Sequence, residues 1–101
     1  MKVAKYRNQK TRGFDSKREF NRAQELILLV KVGAISNLEF QVPYELIPKQ
    51  DGERSVVYKA DFRYWENGAL VVEDVKGMKT RDYILKRKLM LWRHGIRIRE
   101  T

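Results

Sequence analysis

The chain has 101 residues, with 22 Lys and Arg against 13 Asp and Glu, a formal net charge of +9, one histidine and no cysteine. That composition excludes disulfides, a thiolate zinc site and a histidine-built metal cluster. No apolar run approaches the roughly 18 residues that span a bilayer, so one small domain over residues 1–101, outside the membrane and in the cytoplasm, is expected.

The charge is unevenly spread. Residues 1–22 carry a net +6, residues 76–99 a net +8, and residues 23–75 a net −4. Basic ends of this density point to nucleic acid or anionic lipid. Lipid is disfavoured because the basic segments lack an apolar Trp/Phe/Leu face of their own. The bland alternative is a solvated charged surface.

Residues 1–14 read as a basic N-terminal arm. Ser16-Lys17-Arg18-Glu19 fits a capping box, with Ser16 as N-cap and Glu19 at N3. The helix is predicted to run to about Val32, with Gly33 closing it. At 100° per residue, Glu19, Ala23, Leu26, Ile27 and Val30 share one face, while Glu25 points to solvent. Residues 38–47 read as a strand that Pro43 confines to an edge or a bulge. Asp51-Gly52 marks a turn. Residues 55–65 and 70–76 form a predicted hairpin around Asn67-Gly68, a strong two-residue turn signal. Thr80 caps a second predicted helix to about Arg93, closed by Gly95, and residues 96–99 alternate like a last strand. The class is α/β (α+β), in the order α-β-β-β-α-β.

The hairpin carries the chemistry. A two-residue turn pairs Glu66 with Ala69, and counting back sets Asp61 opposite Asp74. A period of two puts Asp74 and Lys76 on one face and Glu73 and Val75 on the other. A bulge that shifted the register by one would bring Glu73 inward instead. Opposed like charges are unfavourable in a sheet, and a divalent cation between them reverses the sign of that interaction. Mg²⁺ takes carboxylate oxygens and keeps several waters. A lysine two residues from a metal-binding carboxylate can orient or deprotonate the attacking water of a phosphodiester hydrolysis and screen the charge that develops. Glu19 can complete the ligand set, directly or through water.

Each residue also has a plainer role. Glu19 fits as a capping acid, Asp61 as a strand-end acid paired with Lys59 or Arg63, and Asp74 and Lys76 as a solvated strand face. His94 reads as a surface residue near a helix end. The aromatics Tyr58, Phe62, Tyr64, Trp65 and Trp92 read as core.

Taken together, Ala60-Asp61 followed by Asp74-Val75-Lys76 resembles the PD-(D/E)xK nuclease superfamily, with Ala60 where the motif has proline. Within it the chain looks most like phage Holliday-junction resolvases of the endonuclease I type and small phage proteins related to them. The matching stretches are Phe14 to Glu19, Val42-Pro43-Tyr44 through Ile47-Pro48, Ala60-Asp61-Phe62, Asn67-Gly68, and Val72 to Gly77. The resemblance implies a restriction-endonuclease-like core with a mixed central sheet. It implies catalytic Glu19, Asp61, Asp74 and Lys76, with Mg²⁺ (or Mn²⁺) on Asp61, Asp74 and Glu19 and help from the Val75 carbonyl. It also implies a homodimer that nicks branched double-stranded DNA in pairs, in the host cytoplasm if phage-encoded. Phosphate contacts are expected from Lys5, Arg7, Lys10, Arg12 and Lys17 at one end. Lys79, Arg81, Lys86, Arg87 and Lys88 are expected to supply them at the other. Two alternatives stay open: another nuclease of this superfamily acting in recombination or end-nicking with a partner, or a non-catalytic basic DNA-binding protein.

Overall fold

The computed structural model describes residues 16–101. The N-terminal arm, including Lys5, Arg7, Lys10 and Arg12, lies outside them. Helix α1 spans Lys17–Lys31, strand β1 Ser36–Ile47, β2 Val56–Glu66, β3 Ala69–Asp74 and helix α2 Arg81–Leu89. A π-helical turn over Met90–His94 extends α2, and a short strand β4 follows at Arg99–Glu100. The sheet order is β1-β2-β3-β4. The first three strands are antiparallel, while β3 and β4 run parallel. That last pairing needs a crossover, which α2 provides. The described residues therefore form an α+β fold with a four-stranded mixed sheet and two helices.

Local chemistry accounts for most boundaries. Ser16 Oγ accepts the Glu19 N–H at 3.0 Å, satisfying one of the donors that a helix start leaves without a backbone partner. Thr80 Oγ1 does the same for Tyr83 N–H at 3.1 Å. Gly95 ends the π turn with φ +69°. Asn67 and Gly68 both have positive φ, +53° and +78°, the backbone of a type I′ hairpin turn. Pro43 sits in β1, an edge strand of the sheet, where its missing N–H breaks no ladder.

Two apolar clusters lie against the sheet. Ala23 and Leu26 of α1 pack with Ile35, Phe62, Tyr64 and Val71. Tyr83 of α2 and Met90 pack with Leu46, Tyr58, Ala60, Val72 and Ile98. Strand β3 alternates regularly, with Val71 in the first cluster and Val72 in the second. Strand β2 buries every second residue from Tyr58 to Tyr64: Tyr58 and Ala60 join the α2 cluster, whereas Phe62 and Tyr64 join the α1 cluster.

Some sequence expectations need correction. Trp92 is 79% exposed and Trp65 42%, so neither belongs to the core; the π turn after Leu89 carries Trp92 outward. Ile27 and Val30 are exposed rather than buried on α1. The buried stripe runs through Glu19, Ala23 and Leu26 toward Leu29, because the helix meets the sheet rotated away from Ile27. The last strand starts at Arg99 instead of residue 96, and Ile98 before it is buried in the α2 cluster.

Candidate active site

The hairpin register matches the count from the turn: Glu66 pairs with Ala69 and Phe62 with Glu73. The next position along sets Asp61 opposite Asp74. In the other direction, the pairs Phe40 with Phe62 and Val42 with Ala60 set Gln41 opposite Asp61. Asp74 pairs in turn with Glu100. A row of Gln41, Asp61, Asp74 and Glu100 thus crosses all four strands at the end of β3.

Asp74 is 1% exposed. Its Oδ1 accepts a hydrogen bond from the Tyr58 hydroxyl at 2.9 Å. Its Oδ2 lies 3.2 Å from Lys76 Nζ, but no donor is aligned on it for a hydrogen bond. The ion pair is thus one of charge proximity: a buried carboxylate oxygen is left with lone pairs to spare, which is rare in a folded protein. Lys76 Nζ also stands 4.7 Å from the centre of the Tyr83 ring, a cation–π contact that steadies it. Asp61 Oδ2 accepts the Val75 N–H at 2.8 Å. Burial, and then the negative charge of Asp74, push the Asp61 carboxyl up to about 6 against the pull of Val75 N–H, Lys76 and Gln41. Burial and Asp74 also raise the Tyr58 hydroxyl, which keeps it a donor.

These groups line a cleft of about 530 Å³, with Gln41, Tyr58, Lys59, Asp61, Asp74 and Lys76 on the sheet side. Thr80, Asp82, Tyr83 and Lys86 close it from the α2 side. Glu19 is not in the cleft wall. It is 4% exposed, and its Oε2 accepts from Gln41 Nε2 at 2.8 Å. Among the described residues, no three Asp, Glu or His side chains converge as a ready-made metal cage. The four residues singled out in the sequence therefore divide: Asp61, Asp74 and Lys76 meet in the cleft, and Glu19 reaches them through Gln41.

Glu73 faces the opposite way. Arg22 Nε and Nη2 hold its carboxylate at 2.6 and 3.1 Å, with Thr101 Oγ1 at 3.0 Å and the Tyr64 hydroxyl also donating. Burial alone would raise its carboxyl, but the bonds from Arg22, Tyr64 and Thr101 together hold it below the ordinary range. It is a structural anion. Arg63 pairs with Glu39 at 2.7 Å, so it is not the counterion of Asp61.

Of the residues expected to meet phosphate, Lys86 lines the cleft, 3.6 Å from Asp82. Lys79 and Arg87 are drawn to Glu100, at 3.5 and 3.0 Å, while Lys17, Arg81 and Lys88 are exposed. Sequence reasoning missed Gln41 and Glu100, and it passed over Lys59 as a cleft residue. The hairpin count extended across β1 and β4 would have found Gln41 and Glu100, but nothing local announces either register.

Residues 3–99 match a family described as "Protein of unknown function (DUF1064)". No curated protein and no solved structure matches the chain.

Proposed function

We propose that this chain, which belongs to the DUF1064 family, is a metal-dependent, structure-selective DNA endonuclease of restriction-endonuclease-like design, acting on four-way or branched junctions. The observation that carries this reading is the buried Asp74 Oδ2, with no aligned donor, between Asp61 and Lys76 in a cleft. An oxygen left this way suits a hard cation. Mg²⁺ commonly takes one or two carboxylates and completes its shell with water and substrate phosphate, which fits a site with two carboxylates on its wall. Asp61 and Asp74 would hold it, helped by the Val75 carbonyl. Bound there, the ion would supply Lewis acidity and a water of lowered pKa.

The chain's own groups do the rest. Tyr58 orients Asp74 by donating to Oδ1, and the Val75 N–H orients Asp61. Lys76 Nζ, placed between Asp74 and the Tyr83 ring, directs the attacking water and screens charge gathering on the phosphate oxygens. Water attacks phosphorus, the bond to the leaving sugar oxygen breaks, and that oxygen takes up a proton. Lys59 and Lys86 on the cleft wall would hold the flanking phosphates, contacts that position a backbone without reading sequence. Paired nicking of a symmetric junction suits two subunits. The exposed Ile27, Leu28 and Val30 of α1 leave apolar surface of the kind that joins them.

The test is incubation with four-way junction, duplex and single-stranded DNA, in Mg²⁺ and in EDTA. Paired, metal-dependent nicks in the junction are expected from the wild type, with Asp61→Asn and Lys76→Ala inactive. Cleavage by either variant at the wild-type rate rules out this site.

A further inference from the structure

We propose that Gln41 is a positioning residue that couples Glu19 to the metal-binding carboxylates, so that Glu19 acts through the glutamine amide rather than as a ligand. This rests on the nuclease reading and goes further by assigning a residue that no motif contains.

The backbone is the first indication. Gln41 has φ +53°, yet its neighbours Phe40 and Val42 keep regular pairing with Phe62 and Ala60. A left-handed conformation costs an ordinary residue roughly 1–2 kcal/mol. Asn37 and Asn67 share that sign of φ, but asparagine tolerates it, and both lie at irregular or turn positions. Gln41 adopts it between two regularly paired residues of β1. Strain of this kind persists where surrounding contacts over-determine it, commonly at functional sites.

The second indication is where the Gln41 side chain goes. Nε2 donates to Glu19 Oε2 at 2.8 Å. Gln41 stands opposite Asp61 across the strand pair. Gln41 also lines the cleft, whereas Glu19 does not. An amide has two N–H donors, enough for one carboxylate on each side. It carries no charge, so it ties two anions together without competing with a cation. A lysine here would compete, and a glutamate would repel both neighbours. Second-layer groups that orient metal-binding carboxylates are typically worth about 10–100-fold in metal affinity or activity.

The experiment compares wild type, Gln41→Gly, Gln41→Asn, Glu19→Gln and the Glu19→Gln/Gln41→Gly double variant. Each is read by thermal melting, by Mn²⁺ binding to metal-free protein (electron paramagnetic resonance), and by Mg²⁺-dependent nicking. Glycine accepts φ +53° freely, so Gln41→Gly is expected to melt at or above the wild-type temperature. Its Mn²⁺ affinity and its nicking rate are each expected to fall about 10-fold or more. Gln41→Asn also tolerates the backbone but is one methylene short, and is expected to show the same losses. Glu19→Gln should lower both readouts similarly, and the double variant should be no worse than the weaker single.

The proposal is overturned if both Gln41 variants bind Mn²⁺ and nick within twofold of wild type. It is also overturned if the double variant shows the product of the single losses. A wild type that nicks and binds Mn²⁺ beside unaffected Gln41 variants sinks this proposal alone. A wild type that neither binds Mn²⁺ nor nicks sinks the nuclease reading and this proposal with it.

Discussion

Glu73 and Asp74 are adjacent buried carboxylates, and substituting each should have opposite consequences. Glu73 is 0% exposed and meets Arg22, Tyr64 and Thr101. Glu73→Gln keeps the shape but turns an amide NH₂ toward those donors and leaves the Arg22 charge to the exposed Glu25, 2.9 Å away. Breaking one side of a buried ion pair costs roughly 3–5 kcal/mol. The Arg22 side chain is 24% exposed and can partly turn to water, so about 3 kcal/mol is expected. For a domain of this size that lowers Tm by about 15 °C. Asp74→Asn removes a buried charge whose Oδ2 has no aligned donor, while Oδ1 keeps the Tyr58 hydroxyl. Its stability should stay within about 1 kcal/mol of wild type, but metal-dependent nicking should be lost. Urea melts and nicking assays below the lower Tm separate the two effects. The reasoning fails if Asp74→Asn destabilises more than Glu73→Gln, or if Glu73→Gln costs less than about 1 kcal/mol.

The pH dependence follows with a definite sign. The folded Glu73 carboxyl lies below its ordinary value, so its contribution is present above the unfolded pKa of about 4.3 and is lost as pH falls through the folded value. Urea midpoints measured from pH 7 down to 3 should show an acid decline in wild type that is shallower in Glu73→Gln. At the cleft, Lys59→Ala with Lys86→Ala should weaken DNA binding across all sequences. The salt slope should fall by about 0.9 for each phosphate no longer neutralised. An unchanged slope removes both lysines from the phosphate path. Phe62→Ala, at 0% exposure, should cost about 3–5 kcal/mol. Trp92→Ala, at 79% exposure, should stay within about 0.5 kcal/mol in the isolated protein, and chemical denaturation distinguishes the two.

Much of this protein is written in short stretches of chain. Ser16 and Thr80 start helices because their hydroxyls accept the N–H three residues on. Asn67-Gly68 makes the hairpin because both residues tolerate positive φ. Two-residue alternation at the end of β3 then turns Asp74 away from Glu73, and Lys76, just past the strand, comes back to Asp74. All of these need only neighbours in sequence or one tight turn.

What lay beyond local patterns required the sheet to assemble. The turn of α1 toward Leu29 and the π turn that exposes Trp92 depend on how helices meet a twisted surface, and periodicity carries no information on that. The left-handed backbone of Gln41 sits in a strand paired with residues some twenty positions away. The row from Gln41 through Asp61 and Asp74 to Glu100 joins four strands, and three separate registers must be satisfied before its residues meet. By itself the sequence named the acids and the lysine, because a hairpin sets their spacing. Only the tertiary structure decided that Glu19 would stand behind a glutamine, because the length of that side chain and the strain in its backbone have meaning only once α1 and β1 are packed together.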